Sequence, residues 1–175
     1  MKTSSKNKSK KNNQQKQKLN RSTQKRTIKE SIKYTIAIPS YNRSLMIKEK
    51  TLTLLKNHNI GPQKIYIFVA NNKEAREYKH IIPKGMYNKI IVGELGLKNQ
   101  RNFITNYFPN NTNIVQMDDD ITDIKQIDFS NSKLSKKTKK PNKYYQTTSI
   151  ENLNQFIKHS FIQCRSNNLF LWGVF

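Results

Sequence analysis

"NIVQMDDDI" (Asn113–Ile121) runs from apolar residues straight into three aspartates. The chain has five Asp in 175 residues, and Asp118, Asp119, Asp120, Asp123 and Asp128 all fall in one stretch. None precedes them, in a chain of net charge +22. A short run of β-branched residues bounded by turn formers reads as a buried strand, so the triplet is expected at a strand end. Successive side chains of extended backbone alternate faces, which sends Asp118 and Asp120 one way and Asp119 the other. Three adjacent carboxylates repel one another unless a cation sits among them. Mg2+ or Mn2+, held by one or two carboxylates and completed by water and phosphate oxygens, is the natural counter-charge. The alternative is an acidic turn in solvent.

Working outward, three similar runs come earlier: "YTIAIP" (Tyr34–Pro39), "KIYIFVA" (Lys64–Ala70) and "NKIIVG" (Asn88–Gly93). Helix-length stretches separate the four. Leu45–Asn57 sets Ile47, Thr51, Leu54 and Leu55 on one face; Leu97–Phe108 does so with Leu97, Ile104 and Phe108, with Phe103 and Tyr107 beside them. Asn72–His80 reads as a weaker, polar helix. Strands alternating with helices predict an α/β fold whose mostly parallel (mixed) sheet is flanked by helices. Such sheets bind ligands outside the carboxyl ends of their strands. Three polar clusters are expected there: "SYNRS" (Ser40–Ser44), "GELGLKNQRN" (Gly93–Asn102) and "DDD" (Asp118–Asp120).

Pro39 cannot donate to a ladder and should end its strand. Tyr41 beside polar groups suits a nucleobase, and Arg43 suits phosphate; the alternative is an ordinary turn leading to a helix cap at Ser44. Gly93 and Gly96 allow backbone to approach a ligand closely. Arg101 either faces that ligand or lies along the surface on its apolar stem. Neither a GxGxxG dinucleotide loop nor a GxxxxGK[ST] phosphate loop occurs, and His58, His80, His159 and Cys164 have no zinc spacing. Cys164 is expected in the core of a last helix, Ile150–Arg165.

Residues 1–33 carry twelve Lys or Arg against one acid, Glu30. With so little to bury, they read as a disordered basic tail that binds nucleic acid by phosphate neutralisation. Residues 130–143 hold six Lys and no acid and read as an exposed loop inside a folded domain of residues 34–175. That domain stops in a strand-like apolar run, "NLFLWGVF" (Asn168–Phe175), which is expected of a fragment or a truncated copy. A single Cys excludes an intrachain disulfide framework, no run reaches membrane-span length and no secretory signal opens the chain. A soluble, intracellular protein is expected.

The ordered set "TIAIPSYNRS" (Thr35–Ser44), "KTLTLLKNHNI" (Lys50–Ile60), "KIYIFVAN" (Lys64–Asn71), "GLKNQRNFITNYFP" (Gly96–Pro109) and "IVQMDDDI" (Ile114–Ile121) resembles the TET/JBP-associated glycosyltransferases, the family of the base-J glucosyltransferase. The similarity covers residues 34–124. The resemblance implies a GT-A fold and metal-dependent transfer of a sugar, often glucose, from a UDP-sugar. The implied acceptor is a hydroxylated group such as a hydroxymethylated base in DNA. It further implies that Pro39, Ser40, Tyr41 and Arg43 surround the uridine and diphosphate, and that Arg101 and Asn102 contact donor phosphate or sugar. On the same resemblance Asp118 would lie near the ribose or sugar, Asp119 would serve sugar hydroxyls, and Asp120, with Asp118, would hold Mn2+ or Mg2+. A nuclear location or a site of viral DNA replication is compatible with that family. Few residues follow the triplet, so Asp123, Asp128 and Glu151 are the candidates for catalytic base only by default. A donor-binding pseudoenzyme and a nucleic-acid-binding protein acting through its tail are the competing expectations.

Overall fold

The structure is a computed structural model that describes residues 32–128 and 146–174. Apart from Ile32 and Lys33, the basic tail lies outside the described residues, as does the lysine loop at 130–143. Ile32 is buried. The described residues divide into two compact units, one within Tyr34–Ile157 and one of Ile32 and Lys33 with residues 158–174.

The first unit is built on four strands, β1 (Thr35–Pro39), β2 (Ile65–Val69), β3 (Lys89–Val92) and β4 (Ile114–Gln116). They form one sheet in the order β3-β2-β1-β4, and every neighbouring pair is parallel. Its centre is the pair β1–β2, in register at Ile36↔Ile65 and Ile38↔Ile67. Ile36, Ala37, Ile38, Ile67, Phe68 and Val69 are fully buried, as strands covered on both faces must be. The edge strand β3 is only half covered.

Helices α1 (Ser44–Glu49), α2 (Thr51–Asn57), α3 (Asn72–Ile81) and α4 (Leu97–Tyr107) fill the crossovers. On the α4 face, Ala37, Phe68 and Ile104 form a buried cluster with Tyr66, Ile91, Phe103, Phe108 and Ile114 around it. Tyr66 and Phe68 share that face because they are two residues apart on a strand. Phe68 meets the rings of Phe103, Tyr107 and Phe108 edge-on, at 5.4–6.2 Å between centroids.

Several local expectations change. The helix expected over Leu45–Asn57 breaks at Lys50 (φ −103, ψ −91), although its buried face of Ile47, Thr51, Leu54 and Leu55 is as read. Ser44 is the first helical residue, not the cap; Arg43 holds that position, and the Ser44 hydroxyl donates to Glu77 Oε1 at 2.6 Å. The weak polar helix is a firm α3: the Asn71 side chain caps it by accepting from Glu74 N–H, and Tyr78 is fully buried. On α4 the buried face is Gln100 and Ile104, while Leu97 stands in solvent.

Among the described residues the four-stranded sheet is parallel throughout, where a mixed one was expected. Antiparallel pairing occurs in a separate two-stranded ribbon of β5 (Lys125–Asp128) and β6 (Gln146–Ser149). A last helix, α5 (Leu153–Ser166), starts three residues later than expected, with Cys164 buried. In the second unit the apolar run after α5 forms no strand among the described residues. Asn168 turns at φ 54, Leu169 N–H bonds back to Cys164 O, and Phe170 and Leu171 are exposed. Trp172 meets Phe161 edge-on. No helix among the described residues is long and apolar enough to cross a membrane.

Candidate functional site

The strand order creates one special place. β1, β2 and β3 add outward in one direction, and β4 then returns to the other side of β1. Loops leaving β1 and β4 therefore diverge, opening a crevice at the carboxyl ends of the sheet. A cleft enclosing about 540 Å3 lies there. Its walls are Pro39, Ser40, Tyr41 and Arg43 after β1, Ala70 after β2, Glu94–Leu97 after β3, Gln100 and Arg101 on α4, and Asp118–Asp120 after β4.

The aspartates alternate as their spacing dictates. Asp118 and Asp120 are about half exposed, whereas the Asp119 side chain is only 8% exposed. They lie just beyond β4, which ends at Gln116. Thr51 on α2 pins this turn by donating to Asp118 O at 2.8 Å and accepting from Ile121 N–H at 3.0 Å. Two guanidiniums face the carboxylates. Arg101 NH2 donates to Asp118 Oδ1 at 2.6 Å, and Arg43 NH1 lies 3.2 Å from Asp119 Oδ1 and 3.6 Å from Asp120 Oδ2.

Beneath this rim is a buried polar layer. Ser40 Oγ donates to Asp119 Oδ2 at 2.6 Å and shares a 2.7 Å hydrogen bond with Tyr78 OH. The Tyr78 hydroxyl also accepts from Arg43 N–H at 3.0 Å. Burial pushes this phenol above its ordinary range, against the lowering effect of its hydrogen bonds. Glu74, 3% exposed, accepts from Asn42 N–H at 2.7 Å and from Ala70 N–H at 2.8 Å. It thereby holds the loop after β1, where Asn42 takes a left-handed φ of 53, against the end of β2.

The loop after β3 is held differently. Gln100 Oε1 accepts from Glu94 N–H at 2.7 Å, and Gly96 enters α4 at φ 90. A Cβ on Gly93 would overlap Gln100 Oε1, so glycine is what lets the amide close the loop.

Eight of the expected site residues line the cleft: Pro39, Ser40, Tyr41, Arg43, Arg101, Asp118, Asp119 and Asp120. Asn102 does not; one step along α4 turns it away from Arg101. Asp119 is buried, and its two carboxylate oxygens each hold one partner, Ser40 and Arg43, so it braces the site. The Ser40 hydroxyl is likewise occupied. Asp123 accepts from Ser149 Oγ at 2.6 Å and Glu151 is exposed; neither lines the cleft, and the Asp128 side chain lies outside the described residues.

The sequence reading missed Glu94, Glu74, Tyr78, Thr51 and Gln100. Glu94 and Gln100 lay unnamed inside the polar cluster Gly93–Asn102, and Glu74 carried a signal through its place three residues after the capping Asn71; Tyr78 and Thr51 carried none as site residues.

Among the described residues no three His, Cys, Asp or Glu side chains converge to hold a metal ion. What the cleft presents is an oxygen-only pair of half-exposed carboxylates, Asp118 and Asp120, above a buried third. Its charged residues are four carboxylates and two guanidiniums, a formal charge of −2 in a chain of +22. No family model matches the chain, and neither a curated protein nor a solved structure matches it.

Proposed function

We propose that the cleft is the donor site of a GT-A-like, metal-dependent glycosyltransferase that takes a sugar from a UDP-sugar. The carrying observation is the meeting of Asp118–Asp120 with Arg43 and Arg101 at the switch point between β1 and β4. A formal charge of −2 in a basic chain is the wrong sign for a bare anion site. A divalent cation held by these carboxylates would neutralise it and leave the two guanidiniums to a diphosphate. Asp118 and Asp120 would hold Mn2+ or Mg2+, whose oxygen preference they suit and which needs no third protein ligand when phosphate and water complete the shell. Bound there, the cation supplies charge stabilisation for the departing diphosphate.

The chain's own groups do the rest. Arg43 and Arg101 would donate to the diphosphate oxygens, stabilising charge as it leaves. Tyr41, half exposed at the rim, offers an aromatic face to the nucleobase. Glu94 stands three strand spacings from the triplet along the sheet edge, roughly 14 Å. At that end it would accept hydrogen bonds from ribose hydroxyls. The proposed acceptor is a hydroxyl group, with a hydroxymethylated DNA base as the form suited to a chain of this charge.

The displacement of Asp123 and Glu151 from the cleft favours a second reading, donor binding without efficient transfer. Two measurements test these readings. UDP is expected to raise the melting temperature with Mn2+ or Mg2+ and not in EDTA, and Asp120→Asn to abolish the shift; equal stabilisation in EDTA overturns the donor site. Radiolabelled transfer to hydroxymethylated DNA, absent in Asp120→Asn, would select the enzyme over the donor-binding reading.

A further inference from the structure

Granted the donor site, we propose that Arg43 and Arg101 are the chain's own counter-ions for the carboxylate cluster. A divalent cation entering the cluster displaces them and frees them for the diphosphate, so cation and nucleotide bind cooperatively. Arg101 NH2 sits 2.6 Å from Asp118 Oδ1, and Arg43 NH1 reaches both Asp119, at 3.2 Å, and Asp120, at 3.6 Å. The N–H that each arginine aims at a carboxylate is not available to a phosphate, and the pairing offsets the positive charge a phosphate would meet, although the guanidinium keeps further donors. The carboxylates proposed for the cation, Asp118 and Asp120, are therefore the ones that hold guanidiniums when the cluster contains no cation.

The two arginines are not equivalent. Arg43 has a second anchor in the buried Asp119, whose other oxygen is fixed by Ser40, so it can leave Asp120 without leaving the cluster. Among the described residues the Arg101 guanidinium has a single partner, and both side chains of that pair are exposed, 38% and 59%. An exposed ion pair is weak and readily exchanged. A cation on Asp118 removes Arg101's partner and repels its guanidinium at short range. The released group lies in the same cleft as the proposed diphosphate site. Whatever the cation gains from a nearby nucleotide, the nucleotide gains equally from the cation, because coupling is reciprocal.

Mn2+ binding can be read from the loss of the free-ion electron paramagnetic resonance signal, without any turnover, in wild type, Arg101→Gln and Lys98→Gln. Lys98→Gln removes the same charge from an exposed position of α4 that does not line the cleft. Without nucleotide, Arg101→Gln is expected to bind Mn2+ about two- to fivefold more tightly than wild type, the range set by losing an exposed ion pair. Added UDP should then tighten Mn2+ less than it does in wild type. Lys98→Gln should leave both quantities unchanged. Equal or weaker nucleotide-free Mn2+ binding by Arg101→Gln overturns the exchange, as does an equal effect from Lys98→Gln. If wild type takes up Mn2+ with UDP and Arg101→Gln shows no tightening without it, the donor site stands and only the exchange falls. Absence of Mn2+ binding in both, with and without UDP, overturns both. Circular dichroism melts of each variant establish that the fold is intact.

Discussion

The loops after β1 and β3 border the same cleft, yet they are fastened in opposite ways. After β1, Ser40–Arg43 is tied down by ionisable groups: Glu74 takes Asn42 N–H while its other oxygen holds Ala70 N–H after β2, Tyr78 takes Arg43 N–H, and Asp119 takes the Ser40 hydroxyl. After β3, Glu94 is tied by the neutral amide of Gln100, and the fit depends on the absence of a side chain at Gly93. The first loop carries Arg43 and faces the aspartates; the second carries apolar Leu95 and Leu97 in solvent. Precision is concentrated where charge must be positioned. At the other end the wall is shaped by space.

The largest effect is expected from the first fastening. Glu74→Gln keeps the shape of the side chain but replaces one acceptor oxygen with an N–H donor. Either Asn42 N–H or Ala70 N–H then faces another donor in a buried place. A lost charge-assisted bond plus an unpaired amide costs about 2–3 kcal/mol. Urea melts should show a lower midpoint with an unchanged slope. Loss of less than half that amount would mean that Glu74 does not hold the loop.

That fastening was also the least legible part of the sequence. The four strands and their parallel order could be read because short β-branched runs between turn formers must be buried, and crossovers between parallel strands need helices. The cleft followed because strand ends are where such sheets leave polar groups. Glu74 and Tyr78 were hidden inside "NKEAREYKH" (Asn72–His80), whose polar composition suggested a surface helix. Their burial depends on hydrogen bonds to a loop some 30 residues earlier, and periodicity contains no record of that. Gln100 was overlooked because an amide that turns back on Glu94 N–H six residues earlier leaves no trace in an apolar periodicity, and Leu97 was credited to the core in its place. The Lys50 break went unseen because the apolar face continues across it.

A smaller effect should come from the second fastening, by a mechanism that a cycle of mutants can isolate. In Gly93→Ala the new Cβ overlaps Gln100 Oε1 and comes within 2.8 Å of Phe103 Cδ1. The amide must swing away, and the loop loses its bond at Glu94 N–H. Overpacking and the lost bond together cost about 1–2 kcal/mol. Adding Gln100→Ala should recover part of this, since the two positions collide; the double variant should lose less than the sum of the singles. In Gly96→Ala the new Cβ makes only an ordinary 3.8 Å contact with Asn99 Nδ2, but φ is 90, so its cost of about 1–3 kcal/mol comes from backbone strain and should add to Gln100→Ala without coupling. Coupling at Gly96 equal to that at Gly93 would erase the distinction between space and strain.

The smallest effect concerns pH, and only the loop after β1 should show it. Burial raises the Tyr78 phenol above its ordinary value of 10. Facing it are Ser40 Oγ, the backbone N–H of Arg43, and the carboxylates of Glu74 and Asp119, both of which disfavour a phenolate. Below pH 10 folded and unfolded chains both keep this proton, and its contribution to stability is fully present. As pH rises past 10, the unfolded tyrosine ionises while the folded one holds its proton. The native state then binds more protons, so stability falls with rising pH until the folded phenol also ionises. Tyr34, pushed by burial to about 12 and donating to Asn154 Oδ1 at 2.7 Å, adds a slope of the same sign between pH 10 and 12. The two can be separated. Tyr34→Phe should flatten the loss of stability across that window and leave UDP binding at pH 8 unchanged. Tyr78→Phe should flatten it too, but it also frees Ser40 Oγ and Arg43 N–H beside Asp119, and so should weaken Mn2+-dependent UDP binding at pH 8 by a few-fold. If Tyr78→Phe alters the alkaline slope and spares UDP binding, the buried layer beneath the loop is scaffolding alone. The difference between the two loops would then be one of stability and not of site geometry.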